Sequence, residues 1–292
     1  MTAIEIFEQH RSLIFGIAYR MLGSVVEAED ITQDVFLRWQ QQPAGSVQSA
    51  KAYLTTIASR LCIDRLRSAR HQRELYMGVW LPEPLLIADQ PSPDSRAELA
   101  DSLTNAFLLL LEKLSPAERA VFLLREVFQY DYDEVSRIVG KSEANCRQMF
   151  SRARERLASP APRFQAEPAE TEKLVQEFLA ACDKGETDGL MALLTKDVVM
   201  YSDGGGKVAA ALRPIFGADK VTRFLVSVRQ RIPDGLEVRF ANLNAEPGVL
   251  LFVDGQLQWS MTLEIGEGRI RAIYIVGNPD KLRHLSTQGF RP

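Results

Sequence analysis

DYDEVSRIVGKSEANCRQMFSRARERL, residues 131–157, fixes the character of the first half of this chain. The stretch predicts two helices hinged at Gly140. The first runs through Val135, Ile138 and Val139, and the second is capped by Ser142, whose hydroxyl can accept an orphan backbone N–H. Cys146, Met149, Phe150, Ala153 and Leu157 follow the spacing of one buried helical stripe. Glu143, Arg147, Ser151 and Arg154 fall on the opposite face. One side can anchor the second helix to a small core, and the other can offer arginines and small polar groups to a DNA major groove.

The rest of the chain bounds that expectation. With 292 residues it exceeds the size at which one core stops growing, so two or three domains are expected. No apolar run approaches the roughly 20 residues that span a bilayer. The N-terminal MTAIEIFEQHR is acidic and amphipathic, unlike a signal or transit peptide, and a cytoplasmic location is expected. Cys62, Cys146 and Cys182 are far apart and odd in number, which argues against a disulfide framework and a zinc site. The net charge of −3 excludes a protein that coats DNA nonspecifically. Any DNA contact should be local and supported by a second macromolecule.

Residues 4–70 predict three amphipathic helices, the first stopped near Gly23 and the third ending in the basic Arg65, Arg67, Arg70 and Arg73. Residues 76–98 have linker composition, yet Val79, Trp80, Leu81, Leu85 and Leu86 predict that part of the segment docks on something. SPAE at 115–118 signals a helix start with a capping box. Residues 160–170 form a second linker by composition. The remainder predicts helices first, then strands over DVVMYSD, LEVRFANLN, GVLLFVD, QLQWSMTLEIG and RIRAIYIVGN. That order implies an α+β domain with a curved sheet around helices.

Taken together, MLGSVVEAEDITQDVFLRWQ, AYLTTIASRLCIDRLRSAR and the segment from LSPAERAVFLL to RERL resemble an extracytoplasmic-function (ECF) sigma factor over residues 4–157. Residues 170–285 resemble a SnoaL-like domain of the NTF2-like superfamily. WLPEPL from Trp80, DGGGK at 203–207 and NPDKL at 278–282 resemble the sigma subgroup that carries this domain fused at its C-terminus. The implied fold is multidomain: two all-α sigma domains, a helical bundle and a helix-turn-helix, followed by an α+β cone-like domain. The expected divisions are a region 2 domain at 1–75, a linker at 76–98, a region 4 domain at 99–159, a linker at 160–169 and the SnoaL-like domain with its tail at 170–292.

The resemblance implies a role for each part. Asp30, Gln33, Asp34, Phe36, Leu37 and Trp39 would dock on core RNA polymerase, and a part-acidic, part-apolar face suits such an interface. Lys51, Tyr53, Arg60, Arg65, Arg67 and Arg70 would engage the −10 element of promoter DNA. Family members commonly carry Trp where Tyr53 stands and Asn near Arg60, so base preference at −10 is not transferable. Ser142, Glu143, Asn145, Arg147, Gln148 and Ser151 would read the −35 element, while Arg152, Arg154 and Arg156 would touch phosphates. Trp80, Leu81 and Pro82, with Asp203, Gly204, Gly205, Gly206 and Lys207 and with Asn278, Pro279, Asp280, Lys281 and Leu282, would mediate interdomain regulation.

Relatives of the C-terminal domain include cyclases and isomerases with a conical pocket. Tyr201, Asp203 and Trp259 could line one here. His284 is the only histidine after residue 71, and no catalytic triad or metal-ligand cluster stands out. The expectation is no enzyme, no cofactor and no metal, with the fused domain as an intramolecular partner that limits promoter binding. A small-molecule ligand is compatible with the sequence but nothing in it supports one. The competing readings are a ligand-responsive helix-turn-helix repressor independent of polymerase, and a SnoaL-type enzyme with a DNA-binding extension.

Overall fold

The structure, a computed structural model, describes residues 2–43, 47–87, 102–157, 168–233 and 235–287. These gather into two compact units. Residues 76–87, 104–106 and 168–287 belong to the second, and the other described residues to the first.

The first unit is helical. Its N-terminal part holds α1 (Ala3–Leu22), α2 (Val25–Gln40) and α3 (Ala50–Glu74). A capping box of Thr2 and Glu5 opens α1, and Gly23, in the left-handed region at φ 67°, closes it. Ile14, Ile17, Leu22, Ile31, Val35, Leu54, Ala58 and Cys62 are buried where the three helices meet. Of the residues whose spacing predicts the inner stripe of α3, Leu54 and Cys62 are buried and Tyr53, Ile57 and Leu61 are half-buried, while Thr55, Ala58 and Ser59 are buried beside them.

Next come α4 (Asn105–Leu111), α5 (Pro116–Phe122), a π-helical turn (Leu123–Val127), α6 (Tyr132–Val139) and α7 (Glu143–Leu157). The capping box of Ser115 and Glu118, with Pro116 in the first turn, forms as the SPAE signal predicts. Val121, Leu124, Tyr130, Val135, Ile138, Cys146 and Met149 form the core. Gly140 ends α6 at φ 69°, and a Cβ there would meet nothing within 4 Å, so the residue serves the backbone alone.

The second unit is the cone-like α+β domain expected of the SnoaL-like resemblance. It contains α8 (Pro168–Lys184), α9 (Thr187–Leu193), β1 (Leu194–Asp203), β2 (Ile215–Phe216) and α10 (Ala218–Arg229). Then follow β3 (Glu237–Leu243), β4 (Glu246–Val253), β5 (Gln256–Gly266), β6 (Arg269–Val276) and α11 (Pro279–Thr287). Strand order is β2-β1-β6-β5-β4-β3, antiparallel except for the parallel β1–β6 pair. Register shifts in the β1–β6, β4–β5 and β5–β6 pairs bend the sheet. Phe178, Leu190, Val221, Met200, Val249, Met261 and Ile273 join helices and sheet in one core.

Three tight hairpins set the strand register. Asp254–Gly255 and Glu267–Gly268 take positive φ at both positions, as the turn chemistry of the sequence suggests. The third turn, Asn244–Ala245, also has both φ values positive; Asn favours that region, but Ala245 gives no signal of it. Pro279 opens helix α11, in which Lys281, Leu282 and Leu285 are buried. Proline is tolerated there because the first helical turn has no intrahelical acceptor for its missing N–H.

Candidate DNA-reading surfaces and the Asp203 clasp

Helix α7 separates its two jobs by face. Cys146, Met149, Ala153 and Leu157 are buried. Ser142, Glu143, Asn145, Arg147, Gln148, Ser151, Arg152 and Arg154 are all exposed. The Ser142 hydroxyl accepts the Asn145 N–H at 3.3 Å, which fixes the helix start. Arg147 lies 3.1 Å from Glu143 and 4.2 Å from the centre of the Tyr132 ring. Arg156, also exposed, has a carboxylate partner on another helix. Its guanidinium is 2.8 Å from the nearly buried Glu118 carboxylate. Burial pushes Glu118 up, but the Ser115 hydrogen bonds and Arg156 outweigh it and hold the carboxyl below its usual range. This pair joins α5 to α7.

On α2, Asp30, Gln33, Asp34 and Leu37 are exposed at the i, i+3, i+4, i+7 spacing of one helical stripe. Trp39 does not share it. It is buried, with its indole N–H donating to the Ala3 carbonyl at 2.7 Å. Phe36 is half-buried against the Phe7 ring at 4.8 Å. Both aromatics anchor α2 to α1, which corrects their expected place on the polymerase-facing surface. The sequence could have warned of this, because positions 31, 35 and 39 continue one stripe.

The basic residues of α3 divide in two. Arg65 is 3.9 Å from Glu27 and Arg67 is 3.4 Å from Asp64, in partly to largely exposed pairs that are easily exchanged. Arg60 is engaged differently. Its guanidinium donates to the carbonyls of Ile138 and Arg137, both at 3.0 Å, and so caps the C-terminal end of α6. Lys51 lies 5.2 Å from the Tyr130 ring, whose hydroxyl shares a 2.9 Å hydrogen bond with buried Thr55. Tyr53 packs on Trp39 at 5.8 Å. The Arg70 side chain lies outside the described residues. Sequence reasoning missed Tyr130 and Thr55, because a lone Tyr and Thr give no pattern.

In the second unit, residues 76–87 form a strap fixed at several points. Asp203, fully buried, is the centre of a clasp. One carboxylate oxygen accepts the Tyr76 hydroxyl at 2.6 Å and the Gly205 N–H at 3.0 Å. The other accepts the Leu81 N–H at 2.8 Å and the Lys281 ammonium at 2.7 Å. Lys281 also donates to the Leu81 carbonyl and lies 4.3 Å from the Trp80 ring and 5.0 Å from that of Tyr76. Asn278 donates to the Tyr76 hydroxyl at 2.9 Å, and Lys207 pairs with Asp280 at 2.6 Å. Gly206 lies against Met77 of the strap. Burial, then the hydrogen bond to Asp203, pushes the Tyr76 phenol up, so it stays a neutral donor. Downstream, Ile87 donates to the Asn242 carbonyl at 2.9 Å and Asn244 to the Leu85 carbonyl at 2.8 Å. The strap thereby pairs beside the last strand of the sheet order, where Leu86 bridges Leu243. WLPEPL, DGGGK and NPDKL thus meet around one carboxylate. Tyr76, which completes it, was missed because it precedes the motif.

A cavity of about 400 Å³ opens in the same unit. Asp203 and Trp259 stand at its wall, as expected, but Tyr201 does not. Tyr201 lies on the sheet face opposite to Ser202 and Ile275, which line the cavity, and it stacks there on Tyr274 at 5.3 Å. The Asp203 carboxylate is saturated by the clasp, so it is no free base.

Residues 6–72 match the family model Sigma-70 region 2, and residues 104–157 match Sigma-70, region 4. The chain is 36% identical to the ECF RNA polymerase sigma factor SigJ of Mycobacterium tuberculosis, over 94% of this chain and 91% of that protein. It is 30% identical to the protein of the same organism named "Probable ECF RNA polymerase sigma factor SigI", over 96% of this chain and 94% of that one. The crystal structure of Mycobacterium tuberculosis SigJ superposes with a TM-score of 0.75 at 33% identity, covering 96% of this chain and 98% of that chain. The chain belongs to the ECF RNA polymerase sigma factors, the subunits that direct polymerase to promoters.

Proposed function

We propose that promoter reading is divided between α3 and α7, and that the C-terminal domain controls it in cis. Residues 1–75 would act as the region 2 domain, residues 99–159 as the region 4 domain and residues 170–292 as the SnoaL-like domain. On α7, Ser142, Glu143, Asn145, Arg147, Gln148 and Ser151 read the −35 bases, and Arg152 and Arg154 hold phosphates. The observation that carries this is the division of α7 into a buried apolar stripe and an unbroken exposed polar face. Asp30, Gln33, Asp34 and Leu37 form the polymerase-facing stripe of α2. Lys51, Arg60, Arg65 and Arg67 track the −10 strand. Lys51 and Arg60 first have to exchange their contacts with Tyr130 and the end of α6.

Control in cis is supported by the strap, which begins two residues after α3 ends and is held by the clasp. The partners are core RNA polymerase, promoter DNA and the chain's own C-terminal domain, in the cytoplasm. Sigma factors are not enzymes as a family. We read the fused domain as non-catalytic too, because its cavity-wall carboxylate is spent on Lys281, Tyr76 and Leu81. Among the described residues no helix is long and apolar enough to cross a membrane.

Run-off transcription with purified core polymerase tests both parts. Initiation should require this protein, and truncation after Leu157 or just before Asn278 should change its activity. No initiation by any version, with tight duplex binding in the absence of polymerase, would overturn the assignment. Unchanged activity in both truncations would remove control in cis.

A further inference from the structure

The cavity of the second unit plays no part in promoter reading, yet its wall is a built one. At about 400 Å³ it falls in the size range of small-molecule sites. Phe178, Phe224, Met261 and Trp259 give it aromatic and apolar surfaces. Its charged groups are already paired. Arg229 donates to one Asp183 carboxylate oxygen through two nitrogens, at 2.9 and 2.6 Å. Asp203 is saturated by the clasp, and the Ser202 hydroxyl accepts the Ala211 N–H at 2.8 Å. A charged ligand would therefore lose its hydration and gain a counter-charge only by displacing Asp183 from Arg229. Among the described residues the Trp259 indole N–H has no hydrogen-bond partner, and the ring lies against Gly277, where any Cβ would be 2.7 Å from it. The Cys182 thiol at the wall is pushed up to about 12 by burial and by Asp183, so it is an inert neutral surface.

The wall and the clasp share residues. Asp203 and Gly277 stand at the cavity, and the Gly277 N–H donates to the Asp203 carbonyl at 2.8 Å. Val208, Ala209 and Ala210, which close one side, continue directly from the DGGGK loop. An occupant that moves this segment must move the residues that hold the strap.

We propose that the cavity binds a neutral, largely apolar small molecule, aromatic or alicyclic, whose hydrogen-bond acceptor meets the Trp259 indole N–H, and that its occupancy is read by the Asp203–Lys281 clasp. Only the second half rests on control in cis, which the truncation assays test without any ligand.

The full-length protein should be titrated with 1-aminoanthracene at pH 7.5, where the dye is neutral. Saturable fluorescence enhancement at one site is expected, with anthracene-2-carboxylate binding at least tenfold more weakly. Val228→Trp fills the cavity from α10 and Ala209→Phe from the loop; each should weaken dye binding at least tenfold while the far-ultraviolet circular dichroism stays native. Linkage is reciprocal, so loosening the clasp by Lys281→Met should shift dye affinity at least threefold. Unsaturable binding, or binding untouched by whichever filling variant folds, would overturn the site. Equal affinity for the carboxylate would overturn the neutral class. Unchanged affinity in Lys281→Met would overturn the coupling.

Discussion

Arg147 and Lys281 each face a carboxylate and an aromatic ring, and the likeness ends there. Arg147 and Glu143 have side chains 60% and 46% exposed. Lys281 and Asp203 have side chains 8% and 0% exposed. Water already solvates the first pair, so its mutual attraction is worth only about 0.3–0.5 kcal/mol and either partner can leave the other at little cost. The second pair has given up its water, and each charge is costly without the other. One region is built to exchange its contacts and the other to hold them.

The sharpest way to break this comparison is Asp203→Ala. It leaves the Lys281 ammonium buried among Tyr76, Trp80 and the Leu81 carbonyl. A loss of about 3–5 kcal/mol in the stability of the second unit is expected. Urea unfolding followed by the fluorescence of Trp80 and Trp259 reads it. The double variant with Lys281→Met should recover much of the loss, because no charge then remains stranded. A single-variant loss below about 1 kcal/mol would mean that the clasp behaves like a surface pair.

Gly205→Ala probes the same region through the backbone. Gly205 has φ +59°, and a Cβ there would lie 2.2 Å from Asn278 Nδ2. Gly255→Ala is the control, with φ +73° and nothing within 4 Å. Both variants carry left-handed strain of about 1–2 kcal/mol, and only the first must also displace Asn278. Equal losses in thermal unfolding would show that Asn278 yields without cost.

Tyr130→Phe falls lower on the scale. It removes the hydrogen bond to the buried Thr55 hydroxyl and keeps the ring beneath Lys51. A loss of about 1 kcal/mol in the first unit is expected. Chemical denaturation of the full chain measures it, and no change would mean that water replaces the bond.

These contrasts also show what the sequence could reveal. The face of α7 was legible because Cys146, Met149, Ala153 and Leu157 repeat at helical spacing and Ser142 is a recognisable cap. The sheet was legible from alternation and from the Asp254–Gly255 and Glu267–Gly268 turns. The Asn244–Ala245 turn was not, since alanine gives no hint of positive φ. Trp39 was placed on a surface because an aromatic suits an interface and a core equally well. Its burial follows from the Ala3 carbonyl, 36 residues away, and local pattern cannot reach that far. The three motifs around Asp203 could be quoted from the sequence, but their convergence could not. Tyr76 and Asp203 are 127 residues apart, and charge alone does not reveal that Lys281 of an apparently polar tail is buried.

The smallest stability effect belongs to the residue with the largest expected role on DNA. Arg147→Ala removes an exposed i, i+4 pair and a ring contact, so folding stability should change by no more than about 0.5 kcal/mol. Binding of the polymerase holoenzyme to a promoter duplex should nevertheless weaken about tenfold, because a specific base contact is worth roughly 1–3 kcal/mol. Arg152→Ala separates the two kinds of contact. It is exposed and placed for phosphate, so its loss should weaken all duplexes alike and lower the salt slope by about 1. Fluorescence anisotropy across a salt series, with native and scrambled −35 duplexes, distinguishes these outcomes. If Arg147→Ala weakened native and scrambled duplexes equally, Arg147 would be a phosphate contact and base reading would pass to Asn145, Gln148 and Ser151. If it destabilised the fold by more than about 1 kcal/mol, the Tyr132 stacking would be structural, and the exposed face of α7 would resemble the clasp more than its accessibility implies.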